Sequence, residues 1–117
     1  MEIKDIYWIA GILEGEGCFQ ASNARYKTKD GWKYRKTPSP TIQLVMTDKD
    51  IIERYARLVN QNITTHKPKG KETYKQAYTC TLRGKKALEW MQTVYTLMGN
   101  RRKEKIESVI NEVCHRT

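Results

Sequence analysis

Trp8-Ile9-Ala10-Gly11-Ile12-Leu13-Glu14-Gly15-Glu16-Gly17 is the stretch on which the fold turns. Gly11 and Gly15 are four residues apart and share one face of a helix, leaving a strip with no side chain beyond Cα. A glycine inside a helix costs about 1 kcal/mol relative to alanine, so two at this spacing call for a reason. Close approach of a second helix supplies one, because backbones can touch where nothing stands between them. The plainer alternative is that both glycines pack on the chain's own sheet.

Glu16 falls at the C-terminal end of this helix, where unpaired carbonyls carry partial negative charge and an acid is disfavoured. Something positive should offset it. A hard divalent cation such as Mg²⁺ suits a carboxylate, and it keeps several waters that nucleic-acid phosphates can replace. If two such helices cross at their glycines, two Glu16 carboxylates come together, an arrangement suited to a nuclease. Alternatively, Glu16 is a solvated turn residue.

Outward from that stretch, apolar spacing predicts four helices. Ile3 to Glu14 carries Ile6, Ile9, Ile12 and Leu13, with Gly15 and Gly17 expected to stop it. Asp48 to Asn60 carries Ile51, Ile52, Tyr55, Leu58 and Val59 behind a Thr47-Asp48 cap. Lys85 to Met98 and Arg101 to Cys114 complete the set, with Trp90 and Tyr95 expected in the core. Between the helices the period changes to two: Ile42, Leu44 and Met46 alternate with Thr41, Gln43 and Val45, and Tyr78, Cys80 and Leu82 with Ala77, Thr79 and Thr81. The weaker stretches Cys18 to Tyr26 and Asn62 to Lys67 each precede a turn and a better strand, which makes two hairpins. The expected fold class is α+β, an αββαββα core with a four-stranded antiparallel sheet, helices on one face and an additional C-terminal helix.

The 117 residues fit one domain, 1–117, with one core. Twenty-two Lys and Arg against 13 Asp and Glu give a net charge of +9, which points to a polyanionic partner. The charge is unevenly spread: six basic residues and one acid lie between Gln20 and Pro40, and seven basic residues and one acid between Thr64 and Lys86. Positive charge therefore collects on strands and turns, where Lys and Arg can neutralise phosphates and short polar side chains can reach base edges. No apolar run approaches the roughly 20 residues that would span a bilayer, so a soluble, intracellular protein without a membrane role is expected. Cys18, Cys80 and Cys114 lack metal-ligand spacing and are expected to be reduced thiols packed like small apolar residues.

Ile9-Ala10-Gly11-Ile12-Leu13-Glu14-Gly15-Glu16-Gly17, followed by Cys18-Phe19 opening a strand, resembles the motif of the LAGLIDADG homing endonucleases, and the order of elements matches that family over nearly the whole chain. Both motif acids are Glu where Asp is usual. The resemblance implies recognition of a long DNA duplex and Mg²⁺-dependent hydrolysis of both strands, with Mn²⁺ or Ca²⁺ able to replace Mg²⁺ for binding and no small-molecule cofactor. The single motif implies a homodimer on a roughly palindromic target, its seam on Trp8, Gly11, Ile12 and Gly15, and a host that is prokaryotic, phage or organellar.

By the same resemblance, Glu16 and the Gly15 carbonyl match metal ligands. Asp48 matches a polar residue that orders water, besides being an ordinary helix cap, and Arg102 and Lys103 match the basic residue near the scissile phosphate. With Phe19 and Ala21 taken inward, the outward strand positions are Gln20, Ser22, Tyr26, Thr41, Gln43, Thr64, His66, Lys75, Thr79 and Thr81, candidates for base and groove contacts. The loop from Lys27 to Pro40, with Arg25 before it and Lys33 and Arg35 within it, is expected to grip the flank of the site. His66 on its own has no partner at ligand spacing and reads as a surface residue rather than a metal ligand. Two alternatives remain: a non-cleaving relative that serves as an RNA-splicing maturase or DNA-binding regulator, and a monomeric RNA-binding module. The latter lacks the aromatic pair that stacks bases on central strands.

Overall fold

The computed structural model of the chain describes residues 1–22, 25–34, 38–66 and 76–114. The first helix, α1 (Ile3–Glu16), buries Ile9, Ala10 and Leu13 and runs two residues further than the glycines suggested. Gly15 is therefore helical, and the turn falls at Gly17. A Cβ at Gly17 would lie 2.8 Å from the Leu13 carbonyl oxygen and 2.9 Å from Leu13 Cα, so the chain can leave the helix and enter a strand in one step only without a side chain there.

Strand β1 (Gly17–Ser22) follows directly, then a separate ribbon of β2 (Arg25–Thr28) and β3 (Gly31–Tyr34), and then β4 (Ser39–Met46). The first strand thus ends four residues before Tyr26, which lies on the ribbon instead. The ribbon turns through Lys29-Asp30, with Gly31 at φ +112° and Thr28 Oγ1 donating to the Gly31 carbonyl at 2.9 Å. Helix α2 (Lys49–Val59) is capped by Asp48, whose carboxylate accepts from Ile51 N at 3.3 Å, and ends at the left-handed Asn60. Then come β5 (Ile63–His66), β6 (Ala77–Arg83), α3 (Lys85–Val94), a 3₁₀ turn (Tyr95–Leu97) and α4 (Asn100–Cys114).

The four-stranded sheet is antiparallel throughout, in the order β1-β4-β6-β5. Its register assigns every strand residue to a face. Phe19 pairs with Ile42, and Ile42 with Leu82; Gly17 pairs with Leu44, Leu44 with Cys80, and Cys80 with Ile63. These rows form the inner face. On it pack Leu13, Tyr55, Ala56, Val59, Met91, Val94, Ile106 and Val109 from the four helices, in one continuous core. The α+β architecture expected from periodicity is the one observed. All three cysteines are free thiols, but only Cys80 is packed; Cys18 is half-buried and Cys114 exposed.

Candidate nucleic-acid interface and active centre

The face of the sheet away from the helices carries three full rows. Val45 pairs with Thr79, and Thr79 with Thr64; Cys18 pairs with Gln43, and Gln43 with Thr81; Gln20 pairs with Thr41, and Thr41 with Arg83. Ser22, opposite Ser39, extends the face at its far edge. The expected outward positions Gln20, Ser22, Thr41, Gln43, Thr64, Thr79 and Thr81 therefore share one surface, and His66, paired with Ala77, sits at the end of β5 with the same parity. Thr41 is 5% exposed, and its hydroxyl donates to the Ser39 carbonyl, so it supports the face from within. Gln43, Gln61, Asn62, Thr64, Thr79, Thr81 and Arg83 line a shallow groove across this surface.

Three residues of this surface are not among the contact candidates drawn from the sequence: Cys18, Val45 and Arg83. Strand parity alone places them, since 18 follows 20 and 22, 45 follows 43, and 83 follows 81. Arg83 is exposed and is the one Lys or Arg among the described strand residues of this face. On the ribbon, Tyr26 pairs with Lys33 and Lys27 with Trp32, and Trp32 is 56% exposed. Arg25 opens β2, opposite Tyr34. Arg35 and Lys75 lie outside the described residues.

At the end of the sheet where α1 enters, Glu16 precedes Gly17, which faces Leu44 of β4; β4 leaves the sheet at the same end to reach Asp48. Glu16 and Asp48 are both exposed. The last turn of α1 contains no basic residue, so its negative end is met from elsewhere. Arg102 of α4 does this: Nε donates to the Glu14 carbonyl at 3.1 Å and Nη1 donates to the Gly17 carbonyl. The guanidinium also lies 6.0 Å from the centroid of the Phe19 ring. In return, Glu14 Oε1 accepts from Gly99 N, 3.1 Å away at the start of α4. Lys103 Nζ lies 5.7 Å over the Tyr95 ring, whose hydroxyl donates to Glu107; that bond raises the Tyr95 pKa from its ordinary value. Arg101, Arg102 and Lys105 line a cleft with Cys18 and Phe19 beside the α1 terminus.

The glycines of α1 and of its exit divide into two kinds. A Cβ at Gly17 meets backbone, whereas one at Gly11 or Gly15 meets nothing within 4 Å. Their strip is open. Along the same helix Ile3 is 69% and Tyr7 58% exposed, and Trp8 and Ile12 are half-buried at its border. Among the described residues no three His, Cys, Asp or Glu side chains converge as a ready-made metal cage. What the α1 terminus offers is a carboxylate and a backbone carbonyl, an all-oxygen set that fits a hard dication whose other positions are filled by water and phosphate.

No family model and no curated protein matches this sequence. Solved structures do match the fold. A group I intron-encoded homing endonuclease, I-CeuI, complexed with DNA, superposes with a TM-score of 0.62 at 14% identity, over 92% of this chain and 53% of its own. An archaeal intron-encoded homing endonuclease, I-Vdi141I, complexed with DNA, gives 0.61 at 15% identity, over 95% and 69%. The LAGLIDADG homing endonuclease I-GzeII, in complex with its DNA target, gives 0.51 at 21% identity, over 91% and 35%. The chain thus spans about half of I-CeuI and about a third of I-GzeII. At these identities the shared property is the fold.

Proposed function

With the LAGLIDADG homing-endonuclease fold as the premise, we propose that this chain is a site-specific DNA endonuclease. It acts as a homodimer on a long, roughly palindromic duplex and hydrolyses both strands with Mg²⁺. The observation that carries the proposal is the open glycine strip of Gly11 and Gly15 ending at the exposed Glu16. Among the described residues nothing packs on that strip. A second copy laid along it brings two Glu16 carboxylates to one place, and each faces one strand.

In this reading Glu16 and the Gly15 carbonyl hold the dication. When bound, it would acidify a water and neutralise charge gathering on the phosphate. Asp48, at the same end of the sheet, orients water at the site while capping α2. Lys103, with the exposed Arg101 and Lys105 on α4, supplies positive charge to the phosphate backbone. Gln20, Gln43, Thr64, Thr79, Thr81 and Arg83 face base edges, and Arg25, Lys27 and Lys33 of the ribbon flank the groove and add charge. Binding of this kind weakens steeply as salt rises, because each neutralised phosphate releases counterions.

The test is a selection. A randomised duplex library is bound in Ca²⁺, the enriched sequences are cloned into a plasmid, and Mg²⁺ is added. Double-strand breaks at the enriched site are expected, and Glu16→Gln is expected to abolish them while leaving binding in place. Enrichment of a sequence that is then never cut, in Mg²⁺ or Mn²⁺, would instead identify a non-cleaving regulator or maturase.

A further inference from the structure

We propose that Arg102 is a positioning residue: by tying down the carbonyls on either side of Gly15 and Glu16, it sets the geometry with which those two residues meet a dication. The inference rests on the function proposed above and gives it a part that no local sequence signal discloses. The carbonyls of Glu14 and Gly17 are both taken by one guanidinium, through Nε at 3.1 Å and through Nη1. Gly15 and Glu16 are the two residues between them. A planar fork that holds both ends of so short a segment restricts what lies between.

The tie is closed from the other side. Glu14 leaves the same turn of α1 and accepts from Gly99 N at the start of α4, an orphan donor at a helix N-terminus and a favourable place for an acid. Each helix end therefore receives its missing partner from the other: α4 gives a cation to the negative end of α1, and α1 gives an anion to the positive end of α4. Arg102 is half-buried, stands over Phe19 and shares its cleft with Arg101 and Lys105. Two of its donor nitrogens are engaged with main chain. Its action on the chemistry is therefore through Gly15 and Glu16, whereas its neighbours Arg101 and Lys105 are exposed to an incoming phosphate.

Groups that orient a metal ligand typically cost about 10–100-fold in metal affinity when removed. The experiment uses the full chain bound to its selected duplex. Calorimetric Ca²⁺ titration of the complex is run alongside DNA affinity at saturating Ca²⁺, thermal melting, and the Mg²⁺ concentration that half-saturates cleavage. Arg102→Gln is expected to weaken Ca²⁺ binding by at least about tenfold and to raise the Mg²⁺ requirement in parallel. DNA affinity at saturating Ca²⁺ should stay unchanged. A role confined to stability would shift the melting temperature alone.

Gly99→Ala provides a second probe that removes no charge. Its Cβ would lie 2.6 Å from Glu14 Oε1, the end of a flexible side chain, which would be displaced from Gly99 N. The expected loss is smaller, about threefold in Ca²⁺ affinity, because Arg102 remains. If Arg102→Gln does not melt cooperatively, Arg102→Lys and Gly99→Ala carry the same measurement. Ca²⁺ affinity equal to wild type in a folded Arg102 variant overturns the proposal; with neither Arg102 variant folded, equal affinity in Gly99→Ala overturns it. Glu16→Gln separates this failure from failure of the underlying function. Ca²⁺ binding that is lost in Glu16→Gln but intact in Arg102→Gln sinks the positioning role alone, and binding indifferent to Glu16 sinks the metal site itself.

Discussion

The two sides of α1 obey different rules. On the inner side Ile9 and Leu13 are 0% exposed and Gly17, at the helix exit, admits no Cβ, so this side is committed to the chain's own core. On the outer side Ile3 and Tyr7 are largely exposed, and Gly11 and Gly15 face open space. A helix that answered only to its own domain would place polar residues with good helix propensity on that outer side. Two glycines and two large apolar residues stand there instead, which supports the proposed contact with a second copy. One helix thus builds the monomer with one face, and in the proposed dimer it would meet a second copy with the other, with Glu16 where the two join.

The largest effect expected is on the inner side. Gly17→Ala forces a Cβ against the Leu13 backbone as well as its Cδ2, and the backbone cannot swing aside. It should cost about 3 kcal/mol, at the upper end for overpacking, read as a drop in the urea midpoint. A cost near zero would mean that the passage from α1 to β1 has slack, and the contrast between the two kinds of glycine would lose its basis.

How much of this was legible in the sequence follows from how far each interaction reaches along the chain. The helix period of α1, the four-residue glycine spacing and the parity of β4 and β6 are local, and they delivered the fold class and the outward rows. The ribbon was not legible. Residues 25–34 carry Tyr26, Trp32 and Tyr34 among lysines with no apolar alternation to mark two strands. The join between Arg102 and the end of α1 spans 88 residues and ends on backbone carbonyls, which leave no trace in residue identity. The family resemblance matches Arg102 to the basic residue near the scissile phosphate, and no local pattern marks its partners on α1. The dication at Glu16 follows from a carboxylate at a negative helix end, whereas the Gly15 carbonyl, the water-ordering role of Asp48 and the phosphate role of Arg102 and Lys103 come from family resemblance.

Next in size is a pH effect beneath the same inner face. Cys80 shares its register row with Leu44 and Gly17 and is fully buried. Burial pushes its thiol up from 9.0 to about 11, partly countered by the charge of Lys86. Tyr55, buried with its hydroxyl unpaired, is pushed upward by the same cause. Above pH 9 the unfolded chain releases the thiol proton while the native chain retains it, so the native state binds more protons and stability falls as pH rises. The loss contributed by Cys80 should reach about 2 kcal/mol by the time pH passes its folded value, at about 1.4 kcal/mol per pKa unit. Urea midpoints measured across that range in wild type and Cys80→Ala would isolate it; an identical alkaline slope in both would assign the loss elsewhere.

On the outer side the effect should be on assembly. Gly11→Leu places a side chain where the monomer has room, so folding should be unharmed and helix propensity slightly improved. In the dimer the same side chain keeps the backbones apart, and the dissociation constant should rise at least about tenfold, equivalent to about 1.4 kcal/mol. Sedimentation equilibrium reads this directly. A wild-type chain that is monomeric at high concentration, or a variant that dimerises equally well, would remove the proposed seam.

The smallest effect tests where the border between the two sides runs. Trp8 stands between Tyr7, 58% exposed, and Ile9, 0% exposed. Its ring is covered by Arg54 of α2, whose guanidinium carbon lies 4.1 Å from the ring centroid, and Arg54 in turn reaches Asp5 at 4.0 Å. Half of Trp8 is thus claimed by its own chain, and the remainder is available to the seam. Arg54→Ala should cost the monomer about 0.5–1 kcal/mol, since the cation over the ring is partly desolvated while the ion pair, with 45% of the Arg54 side chain exposed, adds little. Unfolding followed by tryptophan fluorescence measures that cost. Dimer affinity should fall less than in Gly11→Leu, because Arg54 stabilises the ring from the inner side while the glycine strip governs how near the helices approach. A larger fall would move the border, placing Trp8 and its cation within the seam rather than beside it.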